Sequence, residues 1–175
     1  MADPGLAFKA YSPKGEGSRV PQSHYRCTPF DELAALPVAD VAAENCFIFL
    51  WIPNRSVYLA EPLMRAWGFK FSGSAFVWVE LNSPGGSYFM GTGYGTRKNV
   101  EVCWLGRRGS PQRLSKAVRE LIVAPRREHS RKPNEVYARI QELCVGPYLE
   151  LYARQQWPGW TCVGDEVDLF GSNRE

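Results

Sequence analysis

The stretch that governs the fold begins Ala124-Pro-Arg-Arg-Glu-His-Ser-Arg-Lys-Pro133, runs through Asn134–Cys144, and resumes as Gly146-Pro-Tyr-Leu-Glu-Leu-Tyr-Ala-Arg154. Val136, Tyr137, Ile140, Leu143 and Cys144 recur at helical spacing, which predicts a helix over 134–144. Lys132 and Pro133 open that helix, and Gly146 with Pro147 ends it. The apolar run Tyr148-Leu-Glu-Leu-Tyr152 then predicts a short strand that delivers Arg154 at its carboxyl end. Open α/β sheets bind ligands outside the carboxyl ends of their strands, so Lys132 and Arg154 bracket a candidate ligand site. Pro158-Gly-Trp-Thr-Cys-Val-Gly-Asp-Glu166 closes the block.

Working outward, Cys46-Phe-Ile-Phe-Leu-Trp51 and Ala75-Phe-Val-Trp-Val79 are continuously apolar, as expected of strands covered on both faces. Val100–Leu105 partly alternates and is expected nearer an edge. Helices are expected over Asp31–Leu36 and Val57–Trp67, with Pro62 marking an early turn of the second. Strands alternating with helices predict an α/β fold with a largely parallel sheet, and 175 residues suit one domain spanning 1–175. Tyr11–Pro21 and Leu81–Thr96 are rich in Gly, Pro and Ser and are expected to be surface loops of the kind that bind or cover ligands. Gly91-Thr-Gly-Tyr-Gly95 lacks the Lys-Ser/Thr ending of a phosphate loop.

Composition excludes several classes. No apolar run approaches the roughly 20 residues of a membrane span, and the N-terminus has no signal-peptide pattern. The five cysteines are scattered without a Cys-x-x-Cys pair, so neither a zinc site nor a disulfide framework is indicated; the expectation is a reduced, cytoplasmic protein. His24 and His129 are the only histidines, and neither has the neighbours of a Ser-His-Asp hydrolase. From Arg97 to Lys132 there are 11 Lys or Arg against three Glu. Such a stretch, including Arg107, Arg108, Arg126 and Arg127, suits nucleic-acid phosphates, and on charge alone it suits a solvated face equally well.

Near the N-terminus, Asp3-Pro4 makes a compact acceptor pair, a carboxylate beside a carbonyl on a chain of fixed φ. That pair can hold the two hydrogens of a planar exocyclic amine; a simple turn near the terminus is the plainer alternative. Asp3-Pro4, Tyr25, Leu36-Pro-Val38, Phe49-Leu-Trp51, Ala66-Trp-Gly-Phe69 and Phe76-Val-Trp-Val79 are followed by Thr96-Arg97, Glu101, Leu105-Gly106, Ala124-Pro125 and Ser130 through Pro133. Tyr137, Glu150-Leu151, Arg154, Trp160 and Gly164 complete the series. In this order they resemble, over essentially the whole chain, the adenine-N6 methyltransferase family that includes the catalytic subunit of the mRNA N6-adenosine writer and compact bacterial and phage DNA-modifying members.

The resemblance implies a permuted, Rossmann-like fold that uses S-adenosylmethionine and no metal, with the catalytic motif first and the cofactor motifs last. It implies that Asp3 and Pro4 hold the adenine amine, Asp3 also bordering the cofactor, and that Tyr25 borders the target base. Lys132 would meet the cofactor's methionine carboxylate, with Leu151, Arg154, Gln156, Asp165 and Glu166 around its ribose, methionine and adenosine parts. The implied reaction is methyl transfer to adenine in DNA, with RNA as the other substrate. The family motif Asp-Pro-Pro-Trp reads Asp3-Pro-Gly-Leu6 here: Leu6 takes the place of the stacking tryptophan beside the base without fully replacing it, and Phe8 or Tyr11 is expected to supply the aromatic face. One relative of the mRNA writer has an altered motif and serves as a non-catalytic partner; an inactive nucleic-acid-binding subunit is therefore the second expectation. Only Met1 and Ala2 precede Asp3, where the family has an apolar strand. That predicts either a shortened chain or an open sheet edge, fillable by a second chain in a homo- or heterodimer.

Overall fold

The computed structural model describes residues 1–7, 27–93, 95–128 and 131–170. Strands β1 (Cys46–Trp51), β2 (Lys70–Leu81), β3 (Val100–Arg108) and β4 (Leu121–Pro125) form a sheet in the order β1-β3-β2-β4. β3 is antiparallel to both of its neighbours, and β2 is parallel to β4. β5 (Tyr148–Leu151) and β6 (Trp160–Val163) pair in parallel. The sheet is thus mixed, with the one reversed strand lying between β1 and β2 rather than at the expected edge. Its polar residues Glu101, Arg107 and Arg108 sit toward its two ends, while Cys103 in its middle is fully buried.

Met1 and Ala2 join the two ladders. Ala2 bridges Leu50 of β1 and Leu151 of β5, both in parallel. The Ala2 N–H donates to the Phe49 carbonyl at 2.8 Å, and the Trp51 N–H donates to the Ala2 carbonyl at 2.9 Å. On the other side Leu151 N–H reaches the Met1 carbonyl at 2.9 Å, and the Met1 ammonium reaches the Leu149 carbonyl at 2.6 Å. The open edge expected beside β1 is therefore occupied at this level by the chain itself. Below the bridge, Met1, Phe47, Phe49, Leu149 and Tyr148 line part of a cavity of about 820 Å³ between β1 and β5.

Both faces of the sheet are covered, which explains the unbroken apolar run of β1. Side chains alternate along a strand, so Ile48 and Leu50 enter one core with Leu33, Leu63, Met64 and Trp67. Phe49 and Trp51 enter the other, with Phe76, Trp78, Val136, Tyr137 and Ile140. The first core is closed by α1 (Phe30–Ala34), α2 (Val38–Val41) and, after a 3-10 turn over Asn54–Leu59, α3 (Ala60–Ala66), whose third residue is Pro62. The second is closed by α4 (Glu135–Leu143). Gly106 permits the close approach of α3: a Cβ there would lie 2.7 Å from Ile48 Cγ2 and 2.8 Å from Met64 Sδ. Among the described residues no helix is long and apolar enough to cross a membrane.

Candidate active site

Parallel pairing brings the carboxyl ends of Met1–Ala2, β2, β4 and β5 to one edge of the sheet, and the reversed β3 starts at that edge. Asp3 follows Ala2, Glu80 and Leu81 end β2 opposite Ala124 and Pro125, and Glu101 sits opposite Trp78 at the start of β3. The chain leaving β4 then returns with Lys132. Its ammonium lies 2.9 Å from Asp3 Oδ2 and 3.1 Å from Glu101 Oε2, and 5.3 Å from the centre of the Trp51 ring. The Lys132 side chain is only 8% exposed. Burial alone would lower its pKa, but the two carboxylates outweigh that and hold it raised.

Glu80 stands beside this trio. Burial, with repulsion from Glu101 second, pushes its carboxyl up to about 7, against the pull of Arg126 and Lys132. Arg126 Nε pairs with Glu80 Oε2 at 3.0 Å. The Asp3-Pro4 loop is tied at its back: the Thr28 N–H donates to the Gly5 carbonyl at 2.7 Å and the Ala7 N–H to the Thr28 carbonyl at 3.0 Å. This pairing restrains the loop where glycine replaces a stiffer proline. Among the described residues no cluster of three or more His, Cys, Asp or Glu is placed to hold a metal ion.

The turn after β5 carries the second half of the site. Tyr152 takes a positive φ of 63°, and Arg154 Nε pairs with Glu166 Oε2 at 3.2 Å. Gly164 lies against this turn so closely that a Cβ would meet the Ala153 carbonyl at 2.4 Å and its nitrogen at 2.7 Å. A one-directional chain of hydrogen bonds joins the two halves. Arg131 Nε donates to Gln155 Oε1 at 2.8 Å, Gln155 Nε2 to the Tyr137 hydroxyl at 3.2 Å, and that hydroxyl to Glu150 Oε2 at 3.0 Å. Burial raises the Glu150 carboxyl to about 7 although the Tyr137 bond favours its ionised form.

The profile of the MT-A70 family matches residues 1–166. The chain belongs to the MT-A70 family. It is 30% identical over 143 residues to the N(6)-adenosine-methyltransferase catalytic subunit METTL3 of Homo sapiens, covering 79% of this chain and 24% of that protein. It is 31% identical over 142 residues to the N(6)-adenosine-methyltransferase MT-A70-like protein of Arabidopsis thaliana, with 79% and 20% covered. The type II methyltransferase M.MunI of Mycoplasma sp is 28% identical over 146 residues, with 82% of this chain and 60% of that protein covered. The chain thus spans about a quarter or less of the eukaryotic relatives named here.

The fold brings some of the residues expected in the site together and leaves others out of it. Asp3, Pro4 and Lys132 come together, as do Arg154 and Glu166, close to Leu151. Arg154 pairs with Glu166 rather than with Glu150, which lies buried against Tyr137. Leu6 does not offer a face to a base: it is 2% exposed and packs in the core with Leu33 and Met64. Its apolar side chain gains more from that core than from a polar cleft. Gln156 and Asp165 are exposed, and it is Gln155 that turns inward. Phe8, Tyr11 and Tyr25 lie outside the described residues.

The basic stretch also divides. Arg107 and Arg108 fall at the far end of β3, six or seven residues and so roughly 20 Å from Glu101 at a strand's rise per residue. There Arg108 donates to the Ala39 and Ala42 carbonyls at 2.6 and 3.2 Å, closing α2 rather than facing the site. Arg126 stays beside the site, and Arg127 donates to Asn134 Oδ1. Glu80 and Gln155 carried no sequence motif. The one available signal for Glu80 was a charged residue ending an apolar strand; for Glu101 the family pattern named the position but no role.

Proposed function

We propose that this chain is an S-adenosylmethionine-dependent methyltransferase acting on the N6 amine of adenine in DNA, on a permuted Rossmann-like fold. The observation that carries this reading is the Asp3–Lys132–Glu101 constellation, gathered at the sheet edge where β2, β4 and β5 end, with the Arg154–Glu166 pair on the turn that follows β5. The donor set fits the cofactor. A carboxylate group calls for a cation, which Lys132 and Arg154 supply; an ammonium, a sulfonium and a ribose diol call for oxygen acceptors, which Asp3 and Glu166 supply. A cofactor carboxylate at Lys132 would displace Glu101 more readily than Asp3, because the Glu101 side chain is 41% exposed and that of Asp3 19%. When bound, the cofactor supplies a methyl group already activated on sulfur.

The chain's own residues then have a positioning task. Lys132 anchors Asp3 through Oδ2, and a carboxylate so held still accepts at its other oxygen. Asp3 and the Pro4 carbonyl would accept the two amine hydrogens and aim the nitrogen lone pair. The target base must leave the stack to reach them, either flipped or in single-stranded DNA. DNA rather than RNA follows the compact members that the sequence resembles, and a reducing cytoplasm suits five scattered cysteines without a Cys-x-x-Cys pair.

Leu6, buried where the family pattern has a stacking tryptophan, favours a second reading, a non-catalytic nucleic-acid-binding subunit of the same fold. One experiment separates the two. Purified protein, labelled cofactor and adenine oligonucleotides of DNA and of RNA should give transfer to DNA, abolished by Asp3→Ala, with cofactor binding measured in parallel by calorimetry. Transfer to RNA alone would correct the substrate. Nucleic-acid binding without any transfer would leave the subunit reading.

A further inference from the structure

The segment from Asn82 to Asn99 holds no acidic residue and two basic ones, Arg97 and Lys98. Its first part is a hairpin sewn to the site. The Asn82 N–H donates to the Ser87 carbonyl at 2.9 Å and the Phe89 N–H to the Glu80 carbonyl at 2.8 Å, while the Gly91 N–H reaches the Lys98 carbonyl at 2.7 Å. Glu80 is thus held through its carbonyl by Phe89, through its N–H by the Asn99 carbonyl at 2.9 Å, and through its side chain by Arg126. The Arg126 guanidinium also lies 3.7 Å above the centre of the Phe89 ring. In an extended segment neighbouring side chains point to opposite sides. With Phe89 turned to Arg126, Tyr88 and Met90 share the other side, 64% and 71% exposed.

We propose that Tyr88, flanked by Met90, is a stacking platform for the nucleobase next to the target adenine in the unpaired strand. This rests on the nucleic-acid reading above and adds a binding subsite to it. An aromatic face beside cations is how proteins hold single strands without reading sequence. Here the face is fixed by backbone bonds to Glu80, at the same sheet edge as Asp3 and Lys132. Arg97 and Lys98, where the same segment returns toward β3, supply charge for the phosphates. A base lifted from its duplex leaves its neighbour with one face unstacked, and Tyr88 would cover that face.

The test uses the full chain and single-stranded DNA with one adenine, carrying 2-aminopurine or an abasic site at either flanking position. Binding should quench 2-aminopurine at one flank in the wild type and not in Tyr88→Ala. Affinity should fall roughly 5- to 100-fold in Tyr88→Ala, the range expected for one lost base–aromatic stack, and stay near wild type in Tyr88→Phe. The abasic site at that flank should weaken the wild type and leave Tyr88→Ala unchanged. Equal affinity in Tyr88→Ala, or an equal loss with intact and abasic strands, overturns the platform while leaving the nucleic-acid reading in place. A change of oligomeric state in Tyr88→Ala without a change in DNA affinity assigns the face to protein contact and also overturns it. No binding of any oligonucleotide by the wild type, with the fold intact, removes both.

Discussion

Replacing Glu150 with Gln tests whether the buried end of the hydrogen-bond chain costs stability at neutral pH. Glu150 is 5% exposed, and burial raises its carboxyl from an ordinary 4.5 to about 7. A carboxyl whose folded pKa lies above its unfolded value holds its proton better in the folded state. Its charge therefore works against folding, from nothing well below pH 4.5 to a full penalty above pH 7. A shift of that size corresponds to about 3 kcal/mol in all, of which about 2–3 kcal/mol develops between pH 5 and pH 8. Gln keeps an acceptor for the Tyr137 hydroxyl, which lies 3.1 and 3.0 Å from the two Glu150 oxygens, but puts an amide nitrogen in the place of one of them. An unsatisfied amide adds a pH-independent offset of about 1–3 kcal/mol. The slope, not the offset, is the test. Urea unfolding of both proteins at pH 5, 6, 7 and 8 should show Glu150→Gln gaining on the wild type by that amount as pH rises. Glu80 titrates in both proteins and cancels in the difference, whereas the Met1 ammonium is coupled to Glu150 and is part of what the slope reads. A gap that stays level with pH refutes the buried, uncompensated carboxylate.

Lys132→Met should destabilise the fold by about 2–3 kcal/mol, below the range for a fully buried pair because Asp3 and Glu101 are partly exposed; urea unfolding reads the loss, and calorimetry should show cofactor affinity falling with it. Gln155→Glu removes the donor to Tyr137 and sets a second carboxylate near Glu150, so it should cost about 2 kcal/mol or more. Gln155→Met, which breaks the same links without the charge, should cost less, and equal losses would argue against the directed chain. Gly164→Ala forces a Cβ onto the Ala153 backbone and should lower the melting temperature by several degrees, since ~2 kcal/mol moves a chain of this size by roughly 4–8 °C; a melting temperature within a degree of wild type would contradict that packing.

The strands that lie buried on both faces were legible because each buried residue leaves an apolar letter: β1 runs Cys46–Trp51 as the unbroken apolar run implies, and α4 follows its helical period. β4 escaped notice because its burial alternates over five residues, with exposed Leu121 and Val123 between buried Ile122 and Ala124. β6 is a four-residue strand whose flanks read as loop. The direction of β3 carries no letter at all, since an antiparallel strand with both faces covered has the same composition as a parallel one.

The site repeats this division. Lys132 and Arg154 were legible only through the family pattern around them, since either cation taken alone reads as an ordinary surface residue. Asp3 and Glu166 were named with them but the pairings were not, since pairing depends on which carboxylates the fold brings within 3 to 4 Å. Arg107 and Arg108 show the cost of reading charge along the chain: a strand carries its ends far apart, so a basic run in sequence is not a basic surface in space. Gln155 shows the same limit over one residue, because a tight turn with Tyr152 at positive φ sends one glutamine inward and its neighbour out. What joins the Lys132 segment to the Arg154 turn is thus a contact between side chains that no local pattern encodes. That is why the Gln155 substitutions test the assembly of the site more directly than a change to either cation.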